Sequence, residues 1–194
     1  LYFIEPSSAA CSTGVVLYTG AGQEMIDKAL KIDGWMAPEE LQWLAEQAQK
    51  HHTIVEIGSF RGRSTRALAD NTPGVVYAVD HWYGPMEFML APWEREALFD
   101  EFLANMNGLI ESKKVVPVRC NSMTVEIDAK PDMVFIDGDH SFESVVVDIE
   151  KWKGIDGLLC GHDFSFETVR EALAKFFNEN EIVQVENTDI WMRL

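Results

Sequence analysis

The chain has 194 residues, with 32 acidic against 16 basic side chains and a formal net charge of -16. That length suits one domain with a core of its own, and that charge repels phosphate backbones and anionic membranes, so neither nucleic acid nor membrane is expected as a partner. Cys11, Cys120 and Cys160 are odd in number and far apart, which is neither a disulfide framework nor a zinc spacing, and a reducing cytoplasm is expected.

The chain begins Leu1-Tyr2-Phe3, and these residues enter no fold argument. The first twenty residues hold no Lys or Arg to open a signal peptide, and no apolar run approaches the roughly 20 residues needed to span a bilayer. Residues 1–34 are weakly patterned and read as an N-terminal arm, with Met25, Ile26, Ala29 and Leu30 hinting at a short amphipathic helix. Residues 35–194 read as the main domain. Pro38-Glu39-Glu40 looks like a helix first turn, continued by Leu41, Leu44, Ala45 and Ala48. A short β-branched run, Thr53 to Ile57, then passes through a glycine-bearing loop into a helix from about Ser64 to Ala69.

That strand, loop and helix unit repeats. Val75 to Val79 reads as a strand, and Leu98, Phe99, Phe102, Leu103 and Met106 as the apolar face of a helix. Strands follow at Val115 to Val118 and Met133 to Ile136, and then a helix with Phe142, Val145, Val146, Ile149 and Trp152 on its inner face. Leu158-Leu159-Cys160 is a fifth strand, Val169, Ala172, Leu173, Phe176 and Phe177 line a last helix, and Ile182 to Val185 and Ile190 to Met192 are strand-like. The order predicts a doubly wound, mainly parallel seven-stranded sheet of Rossmann-like type, closed by an antiparallel C-terminal hairpin. Ligands of such sheets bind beyond the carboxyl ends of the strands.

The residues there carry the chemistry. Gly58 and Gly62, in Gly58-Ser59-Phe60-Arg61-Gly62, let the backbone turn and approach a ligand, while Ser64 and Thr65 can cap the next helix. A plain strand-to-helix turn would also need glycine. The Gly-x-x-x-Gly spacing differs from the dinucleotide Gly-x-Gly-x-x-Gly and favours a smaller adenosyl ligand over a diphosphate. Asp80, ending the second strand, can accept hydrogen bonds from both hydroxyls of a ribose. Asp137-Gly138-Asp139-His140 and Gly161-His162-Asp163 end the fourth and fifth strands, where Asp137 and Asp163 are placed to share a divalent cation or to raise one another's pKa. His140 or His162 can serve as a base, and Asp139 reads as a turn former. Trp82 to Trp93, apolar but broken by glycine and two prolines, reads as a lid, with packing on the core or a dimer contact as the alternative.

Val55 to Thr65, Ala78-Val79-Asp80-His81-Trp82, Phe135 to Phe142 with Asp148 and Trp152, and Gly161-His162-Asp163-Phe164 together resemble the motifs of the class I S-adenosylmethionine-dependent methyltransferases, within them methyltransferase family 24. The resemblance spans Gly34 to the C-terminus. It implies S-adenosylmethionine as cofactor, with Glu56, Gly58 and Ser59 at its methionine part, Gly62 and Ser64 in the same loop, Asp80 at the ribose, Asn121 and Ser122 flanking adenine, and His81 and Asp137 as further cofactor-binding residues. It also implies magnesium on Asp137 and Asp163. Phe164 stands where a second acid often follows the fifth-strand acid, and His162 precedes it, which puts metal dependence in question. The expected reaction is methyl transfer to an oxygen of a small molecule or glycan, with His140 as base and Asp137 orienting it. A cofactor-binding or assembly protein without turnover is the alternative, and a homo-oligomer is left open.

Overall fold

The computed structural model describes residues 21–84 and 90–194. Helix α1 (Ala21–Ile26) and a 3-10 turn (Ala29–Lys31) lead into α2 (Pro38–Ala48), whose first turn has proline at its start and Glu40 accepting from the Ala37 amide at 2.7 Å. Then come β1 (Thr53–Ile57), α3 (Arg63–Asn71), β2 (Val75–Asp80), α4 (Pro92–Asn105), β3 (Val115–Arg119) and β4 (Met133–Ile136). The chain ends with α5 (Phe142–Trp152), β5 (Leu158–Gly161), α6 (Glu167–Ala174), β6 (Ile182–Gln184) and β7 (Trp191–Arg193).

The strands form one sheet in the order β3-β2-β1-β4-β5-β7-β6. Strands β1 to β5 pair in parallel, and β7 runs antiparallel between β5 and β6, which is the expected hairpin. Alternate side chains leave the sheet on opposite faces. Ile54, Val76, Met133 and Phe135 pack beneath α2, α3 and α4, while Val55, Ile57, Val134 and Ile136 pack beneath α5 and α6. Ile26 and Ala29, each 1% exposed, join the first of these clusters, so residues 21–34 contribute to the core where they are described.

Two local expectations change. The last helix stops at Ala174, and Phe176 and Phe177 lie in the turn beyond it, where their amides both bond the Leu173 carbonyl; the chain must reverse there to enter β6, while the two rings still pack against the core beneath α5 and α6, with Lys153 and Arg193 over them. Trp82, read as part of a lid, is fully buried against Phe99 and Phe102 at 4.7 and 4.9 Å. The centre of that segment, residues 85–89, lies outside the described residues.

Candidate active site at the carboxyl edge of the sheet

The register brings the ends of β1, β2, β4 and β5 to one edge. The loop after β1 lies directly on the strand β4 exit: Gly58 has φ +87°, and a Cβ there would stand 2.0 Å from the Asp137 carbonyl oxygen. Only glycine permits both the left-handed backbone and that approach. Gly62, at φ +89°, begins α3 with its α-carbon facing Met106 and Phe102.

Glu56 points from β1 into the first turn of α3 and is fully buried. Ser59 donates to it at 2.7 Å, and Thr65 and Ser64 also bond it. Burial raises its pKa, with the three hydroxyls opposing that rise. One oxygen, Oε1, has no hydrogen-bond partner among the described residues. Glu56 and Ser59 therefore shape the loop from inside.

Asp80 ties that loop to the next one. Its Oδ2 accepts from the Phe60 amide at 2.9 Å and its Oδ1 from the Trp82 amide at 2.6 Å, while the Trp82 indole donates to the Phe60 carbonyl at 2.7 Å. A carboxylate has about four acceptor sites, so each oxygen keeps capacity for another donor. His81 accepts from the Tyr83 amide at 2.9 Å and stacks on the Tyr83 ring. Beyond β3, Asn121 closes a turn by accepting from the Met123 amide at 2.8 Å. Ser122 bonds Asp148, a buried carboxylate on α5 that burial raises to a pKa of about 6.

The acidic half of the edge is organised around His162. Its Nε2 lies 3.0 Å from Glu40 Oε1, and its Nδ1 lies 3.2 Å from Asp163 Oδ1 and 3.5 Å from Asp137 Oδ1. Burial would lower the His162 pKa, but Asp163, Glu40 and Asp137 outweigh it and push it up to about 11, so the ring is cationic in this arrangement. Asp137 is raised well above the usual carboxylate range, by burial first, against the pull of His162 and with Asp163 and Glu56 adding to the rise. Asp163 adopts φ +60°, a left-handed conformation for a non-glycine residue. Its other oxygen, Oδ2, lies 3.7 Å from His140 Nδ1.

Asp163, not Asp137, thus stands behind His140, whose ring packs on Phe166 at 4.6 Å. Asp139 accepts from the Ser141 amide at 2.7 Å, as a turn former does. Asp137, Asp163 and His162 each offer a ligand atom within 4.8 Å of the others. Glu40 is the residue that sequence reading passed over: glutamate at the third position of a helix is explained by capping, and its contact with His162 spans more than a hundred residues of chain.

Residues 55–164, more than half of the chain, match the sequence model of a methyltransferase domain, methyltransferase family 24. The chain belongs to this family. It is accordingly a methyltransferase, and the sheet it folds into is the Rossmann-like one of that class. Solved structures share the architecture. An S-adenosylmethionine-dependent O-methyltransferase from Thermotoga maritima superposes with a TM-score of 0.62 at 15% identity, over 87% of this chain and 69% of that one. An O-methyltransferase from Bacillus cereus in complex with S-adenosylhomocysteine gives 0.61 at 16% identity, over 92% and 93%. A methyltransferase from Podospora anserina bound to S-adenosylhomocysteine gives 0.61 at 13% identity, over 99% and 97%. At such identities the likeness is one of fold. No helix among the described residues is long and apolar enough to cross a membrane.

Proposed function

We propose that this methyltransferase uses S-adenosylmethionine to methylate an oxygen of a small molecule, with His140 as the base. The observation that carries the reading is the placement, on either side of Gly58, of Asp80 with spare acceptor capacity and of the Asp163–His140 pair. The cofactor's nature is supported by the neighbours solved with S-adenosylhomocysteine, and the residues fit it. Asp80 retains an acceptor site on each oxygen for ribose hydroxyls, and the buried, unpartnered Oε1 of Glu56 suits a donor from the methionine ammonium group or a water relaying it. When bound, the cofactor supplies a methyl group activated on a sulfonium.

The remaining work falls to the chain. Methyl transfer is an in-line displacement, and its rate depends on holding the acceptor oxygen within about 3 to 3.5 Å of the carbon. A neutral hydroxyl becomes a better nucleophile as its proton leaves. Asp163 Oδ2, 3.7 Å from His140 Nδ1, is close enough to stabilise the imidazolium that forms when His140 takes that proton. Phe166, partly exposed beside His140, offers an apolar wall for the acceptor. The neighbours that are O-methyltransferases and the net charge of -16 support a small acceptor over a nucleic acid.

Asp137 and Asp163 are the residues that would hold a divalent cation, which would neutralise two close carboxylates and lower the pKa of an acceptor hydroxyl. The test is a screen of acceptors by S-adenosylhomocysteine production, with and without metal. His140→Ala is expected to lower turnover by about 10²- to 10⁴-fold with unchanged S-adenosylhomocysteine affinity by calorimetry. Full turnover in that variant would remove His140 from the mechanism.

A further inference from the structure

Glu40 lies outside the segment matched by the family, yet its carboxylate reaches the acidic site from behind. Each of its oxygens is committed: Oε2 accepts from the Ala37 amide at 2.7 Å, and Oε1 accepts from the Asp189 amide at 2.9 Å and lies 3.0 Å from His162 Nε2. The side chain is 7% exposed, and its two oxygens are tied to the start of α2 and to the turn joining β6 to β7. That carboxylate favours a proton on Nε2, so Nδ1 is the nitrogen that faces the two aspartates, and a metal there would displace the proton that Nδ1 carries in the cationic ring.

The spacing on that side suits an ion. Donors at about 2.1 Å from a shared metal stand roughly 3.0 to 3.4 Å apart, for right-angle and tetrahedral geometry respectively. His162 Nδ1 lies 3.2 Å from Asp163 Oδ1, within that range, and 3.5 Å from Asp137 Oδ1, just beyond it. Magnesium is bound through oxygen and dehydrates reluctantly, whereas imidazole suits zinc, iron, cobalt and nickel. A carboxylate behind a ligating histidine fixes its tautomer and raises its basicity, as Glu40 is placed to do.

We propose that Asp137, His162 Nδ1 and Asp163 form a mixed nitrogen and oxygen site for a divalent transition metal, with Glu40 as the positioning residue behind His162. This rests on the cation reading above and changes its chemistry from the expected magnesium to a metal that accepts nitrogen. It also makes α2 and the β6–β7 turn part of the site's support.

Cobalt(II) is the probe, because a histidine bound to it shows a hyperfine-shifted imidazole N–H proton signal that disappears in D2O. The wild-type chain loaded with cobalt should show one such signal, and His162→Gln should lose it. Glu40→Gln keeps the size of the side chain and one of its two acceptor oxygens, so the Ala37 or the Asp189 amide loses its partner. It should weaken cobalt binding by about 10- to 100-fold in calorimetry, with magnesium affinity unchanged, and should speed exchange of the N–H signal with solvent. Thermal unfolding of each variant checks that it is folded, and if either is not, the wild-type spectrum decides alone. The absence of a shifted exchangeable signal in the wild type, or equal cobalt affinity in all three proteins, would overturn the site. S-adenosylhomocysteine binding, measured separately on metal-free protein, keeps failure of the methyl-transfer reading distinct from failure of this one.

Discussion

Asp148 should make the protein less stable as the pH rises, and replacing it should reveal by how much. The carboxylate sits on α5, 2% exposed, with Oδ1 lacking a hydrogen-bond partner among the described residues. Burial raises its pKa from 3.8 to about 6, although the Ser122 hydroxyl and the Lys151 charge oppose the rise. Between those two values the native chain keeps a proton that the unfolded chain releases, so the contribution is fully present below pH 3.8 and lost as pH passes about 6. At about 1.4 kcal/mol per pH unit, ionisation of Asp148 costs roughly 3 kcal/mol of unfolding free energy above that window. Asp148→Asn is neutral throughout. Urea unfolding of both proteins from about pH 4 to pH 8 should give a wild-type stability that falls relative to the variant by an amount of that order. Other carboxylates titrate alike in both chains and cancel in the difference. A flat difference, or one of opposite slope, would show that the carboxylate is solvated or paired in a way its surroundings do not indicate. Because Ser122 lies in the loop proposed for adenine, we also expect the variant to bind S-adenosylhomocysteine more weakly despite its greater stability at neutral pH.

Asp80→Ala should weaken S-adenosylhomocysteine binding by about 1.5 to 3 kcal/mol, since it removes a charged acceptor, and calorimetry giving equal affinities would place the ribose elsewhere. S-adenosylhomocysteine at about 100 times its dissociation constant should raise wild-type unfolding free energy by roughly 2.7 kcal/mol; an unchanged melting temperature would contradict the cofactor assignment. Gly58→Ala should cost on the order of 3 kcal/mol or more in denaturant unfolding, because its methyl group would meet the Asp137 backbone and the left-handed φ would add strain. A variant of near wild-type stability would mean that the loops after β1 and β4 can part.

The order of elements was legible in the sequence because each strand and helix writes its own local period. Ile54, Val55 and Ile57 serve two buried faces, and Val145, Ile149 and Trp152 recur at helical spacing. The motif residues were legible for a related reason, since a glycine that must turn and an acid that ends a strand stand at fixed places in a strand-loop-helix unit. The last helix was read too long because Phe176 and Phe177 continue the apolar pattern while the backbone already turns. Trp82 was placed with its apolar neighbours in a lid, and only packing against Phe99 and Phe102 assigns it to the core.

Pairing within the site was decided by tertiary structure. Sequence puts Asp137, His140, His162 and Asp163 at neighbouring strand ends, but nothing local tells that Asp163 backs His140 or that His162 faces three carboxylates. Glu40 shows the reason most plainly. Its helix-capping role is a matter of three residues and can be read directly, whereas its position beside His162 depends on how α2 and the β6–β7 turn close over the end of β5. Local propensity fixes which elements form, and the joint burial of their apolar faces fixes which distant side chains then meet.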